Sequence, residues 1–161
     1  MTTVGVTGHQ DLPAGAVAEI RAELVSVLAA AGDLVGVSSL AAGADQVFAE
    51  VTLELGGRLE AVVPCADYET SFATDAAASA YRKMLARATA SETLDYPAPT
   101  EDAYLAAGRR VAERSELLVA IWDGNPSRGR GGTADVVAYA GQIGVPVRVI
   151  WPAGAVRQRS E

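Results

Sequence analysis

Five short apolar runs, separated by stretches with helical periodicity, restrict the fold of this chain more than any other feature. This alternation is typical of a parallel sheet that is covered by helices on both faces. The predicted element order is β-α-β-α-β-α-α-β-α-β, and the predicted strands are Thr3 to Thr7, Leu34 to Ser38, Leu59 to Pro64, Leu117 to Trp122 and Val145 to Trp151. The sequence therefore predicts a doubly wound α/β fold with a mainly parallel five-stranded sheet and helices on both faces.

Apolar residues three or four positions apart mark the helices between these runs. One such stripe consists of Val17, Ile20, Leu24 and Leu28. A further helix is predicted from Asp75 to Ala90, and Thr100 before Glu101 indicates the capped start of another. The segment between these two helices, SETLDYPAPT, is predicted to be a loop.

Length and composition bound the number of domains and the class of site. The chain has 161 residues, of which 50% are hydrophobic, so we expect a single domain over residues 1–161. It has one cysteine and one histidine, which excludes a disulfide framework and a zinc cluster, and we expect no metal and no cofactor. Because the start lacks a signal-peptide pattern and no apolar run approaches the length of a membrane span, we expect a cytoplasmic protein.

The charge distribution bears on the partner. A net charge of −7 makes nucleic acid an unlikely partner, since phosphate backbones are bound by clusters of lysine and arginine. Residues 106–161 hold 8 basic and 5 acidic side chains, whereas residues 1–105 hold 5 basic and 15 acidic ones. We therefore expect any anion site to draw on the last third of the chain.

A glycine- and arginine-rich loop, GNPSRGRGGT, follows the fourth predicted strand and Asp123. Strand, loop and helix start in this order present backbone N–H groups to an anion. Gly131 and Gly132 allow a close backbone approach, Thr133 is placed to cap the next helix, and Arg130 adds a forked donor suited to phosphate. The alternative interpretation is a surface loop whose glycines serve only the turn.

Two further polar loops are expected at the same edge of the sheet, because ligands of doubly wound sheets bind where the strand order reverses. The first strand ends in Thr7-Gly8-His9-Gln10, and the second leads through Ser38 and Ser39 to Gly43 and Asp45 at the mouth of a helix. His9 is a candidate phosphate donor or general base, although it could simply satisfy the turn. Three such loops at one edge predict a ligand site.

Two of these loops carry a family resemblance. The segment from Ser39 to Asp45, SLAAGAD, resembles the SGLAxGxD motif of the DNA-processing protein A family, and Gly131-Gly132-Thr133 resembles the end of the GGxGT motif of the Lonely Guy phosphoribohydrolases. Both families belong to the SLOG superfamily of Rossmann-like domains. The resemblance implies a nucleotide-type ligand: a nucleoside monophosphate, ADP-ribose or a related phosphoribosyl compound. It also implies a homodimer.

Site roles follow from the resemblance. Gly131, Gly132 and Thr133 would hold a phosphate, Gly8 and His9 would close the other side, and Asp45 or Asp123 would accept ribose hydroxyls. The catalytic glutamate of the phosphoribohydrolases corresponds to Val136 here. Candidate catalytic groups are therefore Asp135, His9 and Arg114, which stands where that family keeps an arginine; Arg114 could equally belong to a solvated helix face.

Three functions stay open at this point. The leading one is ligand binding, and Val136, which cannot transfer a proton, favours a sensor over an enzyme. The second is hydrolysis of a nucleotide N-glycosidic bond. The third is a nucleoside deoxyribosyltransferase-like reaction, for which Asp123 or Glu69 would have to be the nucleophile. Cys65 is expected to be a small buried hydrophobe rather than a nucleophile.

Overall fold

The computed structural model describes residues 1–126 and 132–156. Six strands form one parallel sheet in these residues. In chain order they are β1 (Thr2–Gly8), β2 (Leu34–Ser38), β3 (Arg58–Val63), β4 (Ala90–Thr93), β5 (Leu117–Ile121) and β6 (Val147–Ile150). Their order across the sheet is β4-β3-β2-β1-β5-β6, and every neighbouring pair is parallel.

Within the same described ranges, five α-helices connect the strands. They are α1 (Val17–Ala29), α2 (Ala44–Glu54), α3 (Asp75–Arg87), α4 (Glu101–Arg114) and α5 (Thr133–Gln142). Parallel crossovers are right-handed, so the reversal of direction between β4 and β5 sends α4 and α5 to the face opposite α1, α2 and α3. The packing agrees, since α2 contacts α1 and α3 on one face and α4 contacts α5 on the other. The predicted doubly wound α/β architecture is confirmed.

The sheet has six strands, so the prediction of five was wrong. The additional strand, β4, includes the start of the segment that was predicted to be a loop, and α3 ends at Arg87 rather than Ala90. This strand has four residues at an edge of the sheet, and three of the four are exposed. A short, exposed edge strand needs no alternating apolar pattern, and the sequence therefore gave no sign of it.

The starts of the helices also follow local sequence. The Thr100 hydroxyl accepts a hydrogen bond from Ala103 N at 3.2 Å, as the predicted cap requires. Thr133 is different, because it is the first helical residue of α5, while Gly132 takes the capping position without a side-chain bond. The prediction that Thr133 caps α5 was wrong, and its hydroxyl is left for another role.

The strand order reverses between β1 and β5. These strands pair in parallel up to Gly8 and Ile121, and the β2 end lies on the other side of β1. The loops after β1, β2 and β5 therefore meet at one edge, as the sequence predicted. Within the described residues, no helix has the length and apolar character needed to cross a membrane.

Candidate functional site

A cleft of about 480 Å³ lies at this edge of the sheet. Its volume falls within the range of small-molecule sites. The predicted site residues that line it are Thr7, Gly8, His9, Ser39, Asp45, Gly132 and Thr133. The predicted residues Arg130 and Gly131 lie outside the described residues, so the structure describes the cleft without them.

The β1 and β5 loops are joined by His9 and Asp123. His9 is 5% exposed, and its Nε2 atom accepts a hydrogen bond from Asp123 N at 3.1 Å. The His9 backbone N–H donates to Ile121 O at 3.1 Å. Burial alone would raise the pKa of Asp123, but hydrogen bonds from Asn125 and the nearby His9 outweigh it and lower that pKa. The predicted site residue Asp123 is not among the described lining residues, whereas Trp122 and Asn125 are.

Gly8 and Gly43 allow α2 to approach the end of β1 closely. A Cβ on Gly8 would lie 2.4 Å from the Ala44 Cβ, and one on Gly43, whose φ is +80°, would lie 2.4 Å from Gln10 O. Ala44 N donates to His9 O at 3.0 Å across this contact. Gly43 does not line the cleft among the described residues. Its role in the structure is to bring the β1 and β2 loops together.

The loop after β2 is held in an unusual conformation by side-chain bonds. Leu40 is fully buried with φ +58°, a region that non-glycine residues seldom occupy. Its N–H donates to Ser38 Oγ at 3.0 Å, and Gln46 Nε2 donates to its carbonyl at 3.2 Å. These bonds turn Ser39 and Ala41 to the cleft, where both are lining residues.

Asp45 lies at the start of α2 and is 8% exposed. Burial raises its pKa to about 7, against which the hydrogen bond from Ala41 N acts weakly. That bond, to Oδ2, is long at 3.4 Å. A buried carboxyl that titrates near neutrality in a cleft is a candidate for a functional group.

An aromatic wall, defined here as Tyr68, Phe72 and Tyr104, covers the β3 end of the cleft. Ring centroids are 5.1 Å apart for Tyr68 and Phe72 and 6.2 Å apart for Tyr68 and Tyr104. Tyr68 and Phe72 follow β3, whereas Tyr104 lies in the first turn of α4 on the opposite face of the sheet. The sequence analysis missed this wall, because nothing in the local pattern shows that these two segments meet.

In the part of the chain that the structure describes, several buried polar side chains of the cleft lack hydrogen-bond partners. Thr7, Tyr68 and Thr133 are at most 8% exposed, and all three line the cleft. Within residues 1–126 and 132–156, none of their hydroxyls makes a hydrogen bond with another protein group. Buried hydroxyls in native proteins are nearly always hydrogen-bonded, so this concentration at one cavity indicates a polar occupant.

Of the candidate catalytic residues, His9 lines the described cleft and the others do not. Arg114 forms an ion pair with Glu60 and is absent from the described lining. Asp135 is also absent from it and is exposed in the first turn of α5. Glu69 is exposed and pairs with Arg82 at 3.1 Å. These roles stay predictions, and the placement of the side chains gives them no support.

Val136 and Cys65 behave as core residues. Val136 lines the cleft but also packs against Gly108 of α4, where an added Cβ would lie 2.5 Å from Val136 Cγ2. Cys65 is fully buried, and burial, followed by Asp67, raises the pKa of its thiol. A buried thiol with a raised pKa is a poor nucleophile.

Charge is unevenly distributed along the described lining. The lining includes the acidic residues Asp11, Asp45 and Glu101. Among residues 1–126 and 132–156, it includes no lysine or arginine. Three helices begin at this lining, and α2 and α4 carry Asp45 and Glu101 there, so the amino terminus of α5, at Gly132 and Thr133, is the one of the three without a carboxyl in the described lining. In the same part of the chain, no cluster of three or more histidine, cysteine or acidic side chains could hold a metal ion.

Comparison with solved structures supports the fold. DNA processing protein A from Streptococcus pneumoniae superposes with a TM-score of 0.70 at 18% identity, over 96% of this chain and 52% of that protein. DNA processing protein A from Helicobacter pylori, described by its single-stranded DNA binding mode, superposes with a TM-score of 0.70 at 16% identity. The match covers 97% of this chain and 68% of that protein. A molybdenum cofactor binding protein from Rippkaea orientalis has a TM-score of 0.61 at 15% identity, over 92% and 75%.

No protein-family model matches the chain, and no curated protein matches it. The chain spans about half the length of the pneumococcal protein. The expectation that nucleic acid is an unlikely partner finds no support in these comparisons, since one neighbour is described by its binding of single-stranded DNA. The neighbours are SLOG-type Rossmann-like proteins, and the fold that the resemblance implied is confirmed.

Proposed function

We propose that the cleft binds a nucleotide-type ligand, namely a nucleoside monophosphate, ADP-ribose or a related phosphoribosyl compound. One observation carries this proposal: the buried residues Thr7, Tyr68 and Thr133, whose hydroxyls lack partners in the described residues, all line a single cleft of about 480 Å³. A ligand with several polar groups along its length would satisfy hydroxyls that come from three different elements.

The phosphate binds at the amino terminus of α5. Backbone N–H groups in the first turn of a helix have no partners within the helix and favour anions. Thr133 supports this orientation, because its hydroxyl is buried in the cleft and does not cap the helix. Gly132 has φ −71°, which any residue can adopt, so we infer that a glycine is needed there for space rather than for backbone conformation.

We favour a binding protein or sensor over a hydrolase. Val136 holds the position of the glutamate of the phosphoribohydrolases, and its contact with Gly108 makes it part of the helix packing. His9 is the one candidate catalytic residue that lines the described cleft. If the ligand is cleaved, His9 is therefore the first candidate acid or base.

The homodimer stays a prediction, and sedimentation equilibrium of the purified protein tests it.

A thermal-shift panel tests the proposal. AMP, ADP, ADP-ribose, NAD and ribose 5-phosphate are compared at millimolar concentration with a single-stranded oligonucleotide. A ligand at about 100 times its Kd stabilises the folded state by about 2.7 kcal/mol, and each kcal/mol raises Tm by about 2–4 °C for a domain near this size. If none of these five compounds raises Tm, the proposal is wrong, and a shift with the oligonucleotide alone would replace it with DNA binding.

The phosphate position is tested with a matched pair of valine substitutions. Gly132→Val should abolish the shift, because its side chain would occupy the space at the start of α5. Gly15→Val is the control, since an added Cβ there would have no atom within 4 Å and Gly15 is not a lining residue. If Gly132→Val binds the nucleotide as tightly as wild type does, the phosphate does not bind at this end of the cleft.

A further inference from the structure

The two ends of the cleft differ in chemistry. At the α5 end, the described lining offers a helix amino terminus and the Thr133 hydroxyl. At the other end lie the Asp45 carboxyl and the aromatic wall. β3 and β5 are three strand spacings apart in the sheet, which is about 14 Å at about 4.8 Å per spacing. The cleft thus separates an anion-binding end from an end suited to a flat ring.

Asp45 and Tyr68 are two buried polar groups of this second end, and they are close enough for the Asp45 charge to contribute to the raised pKa of Tyr68. Both are more than nine-tenths buried. In the described residues, the Asp45 carboxyl has only the long bond from Ala41 N, and the Tyr68 hydroxyl has none. Phe72 and Tyr104 are partly exposed beside them, so their rings are accessible from the cleft.

We propose that the base of the nucleotide binds at this end, with a base edge that pairs an amino donor with a ring-nitrogen acceptor hydrogen-bonded to the Asp45 carboxyl. The face of the base lies against the Phe72 and Tyr104 rings. This inference rests on the proposed function and adds the orientation of the ligand and the class of its base. Adenine and cytosine have such an edge.

The chemistry of Asp45 selects this edge. Burial raises its pKa to about 7, so the neutral acid is well populated at neutral pH. A neutral carboxyl presents an O–H donor beside a carbonyl acceptor, which matches an amino group beside a ring nitrogen. Stacking on aromatic side chains stabilises a base without distinguishing one base from another, so the discrimination falls to Asp45.

Calorimetric titration with three ligands tests the inference: AMP, purine riboside 5′-monophosphate, which lacks the amino group, and ribose 5-phosphate, which lacks the base. We expect wild-type protein to bind AMP at least tenfold tighter than the analogue, because a site built for a hydrogen bond rejects a ligand that cannot make it. Asp45→Asn should keep this preference, since an amide also offers a donor beside an acceptor. Asp45→Ala should lose it, and ribose 5-phosphate should bind all three proteins equally.

Two further variants complete the design. Tyr104→Leu should weaken both base-bearing ligands roughly tenfold and leave ribose 5-phosphate unchanged. Asp33→Asn is the matched control, because Asp33 is exposed and absent from the lining. Each variant is first checked for folding by circular dichroism. If Asp45→Ala does not fold, Asp45→Leu takes its place, because leucine fills the same space without a hydrogen-bonding group and should likewise lose the preference for AMP over its analogue.

The outcomes separate the two proposals. Equal affinities of wild type for AMP and ribose 5-phosphate would overturn the base site and leave the phosphate site standing. Equal affinities for AMP and the analogue, or a preference that persists in Asp45→Ala, would remove Asp45 from base recognition. Binding of none of the three ligands would overturn both proposals.

Discussion

The Nε2 atom of His9 lies 3.1 Å from the backbone nitrogen of Asp123 and 3.2 Å from its Oδ1 atom. A neutral imidazole with its proton on Nδ1 accepts the Asp123 N–H, whereas a protonated one donates from Nε2 to the carboxylate. In either state His9 joins the ends of β1 and β5. The T-shaped contact of its ring with Trp151, at a centroid distance of 5.5 Å, adds the loop after β6 to this junction.

His9→Ala is therefore expected to destabilise the protein as well as weaken ligand binding. It leaves the Asp123 N–H without its acceptor and opens a void beside Trp151, at a cost of about 2–3 kcal/mol. Thermal unfolding should show a Tm lower by about 4–12 °C. His9→Gln is the control, because its amide oxygen can take the place of Nε2 and should restore part of the loss. A Tm of His9→Ala equal to that of wild type would contradict the proposed junction.

Two helical glycines give opposite predictions for the same substitution. A Cβ on Gly108 of α4 would lie 2.5 Å from Val136 Cγ2, whereas one on Gly141 of α5 would have no atom within 4 Å. Gly108→Ala should therefore lower the free energy of unfolding by about 1–3 kcal/mol by forcing α4 and α5 apart. Gly141→Ala should raise it by about 0.5–1 kcal/mol, because alanine favours the helix. Urea denaturation measures both, and equal effects would contradict the α4–α5 contact.

The conformation of Leu40 predicts a reversal of the usual order of alanine and glycine. Leu40→Ala and Leu40→Gly both remove a fully buried side chain, which costs about 2–5 kcal/mol. At φ +58°, however, alanine retains the backbone strain and glycine relieves it, which is worth about 1–2 kcal/mol. The glycine variant should therefore be the more stable of the two in urea denaturation. A less stable glycine variant would show that the loop relaxes out of this conformation.

The sequence was sufficient to predict five of the six strands, the reversal of strand order and the loops that meet there, because strand length, helix periodicity and parallel topology are local or follow from general rules. Whether Asp45 is buried depends on segments far away in the chain, such as the one that carries Tyr68. The aromatic wall likewise joins residues that follow β3 to Tyr104 of α4. For the same reason Arg114 could not be placed, and only the structure shows its ion pair with Glu60.

Burial of Asp45 predicts a pH-dependent stability with a definite sign. Its pKa is about 7 in the folded protein and near the ordinary value of 3.8 in the unfolded chain, so the folded state favours the neutral acid. The resulting stabilisation is fully present below about pH 4 and is lost as the pH rises through about 7. At 1.36 kcal/mol for each pKa unit, Asp45 accounts for up to about 4 kcal/mol across this window.

Asp45→Asn isolates this contribution, because asparagine does not ionise and every other titrating group is retained. The free energy of unfolding of wild type should fall relative to that of Asp45→Asn between pH 4 and pH 8, by up to about 4 kcal/mol. A nucleotide that hydrogen-bonds the neutral acid should enlarge this fall, because it raises the pKa of Asp45 in the folded state further above its unfolded value. Parallel curves for the two proteins would mean that Asp45 ionises freely in the cleft, and the carboxyl would then present two acceptors to the ligand instead of a donor and an acceptor.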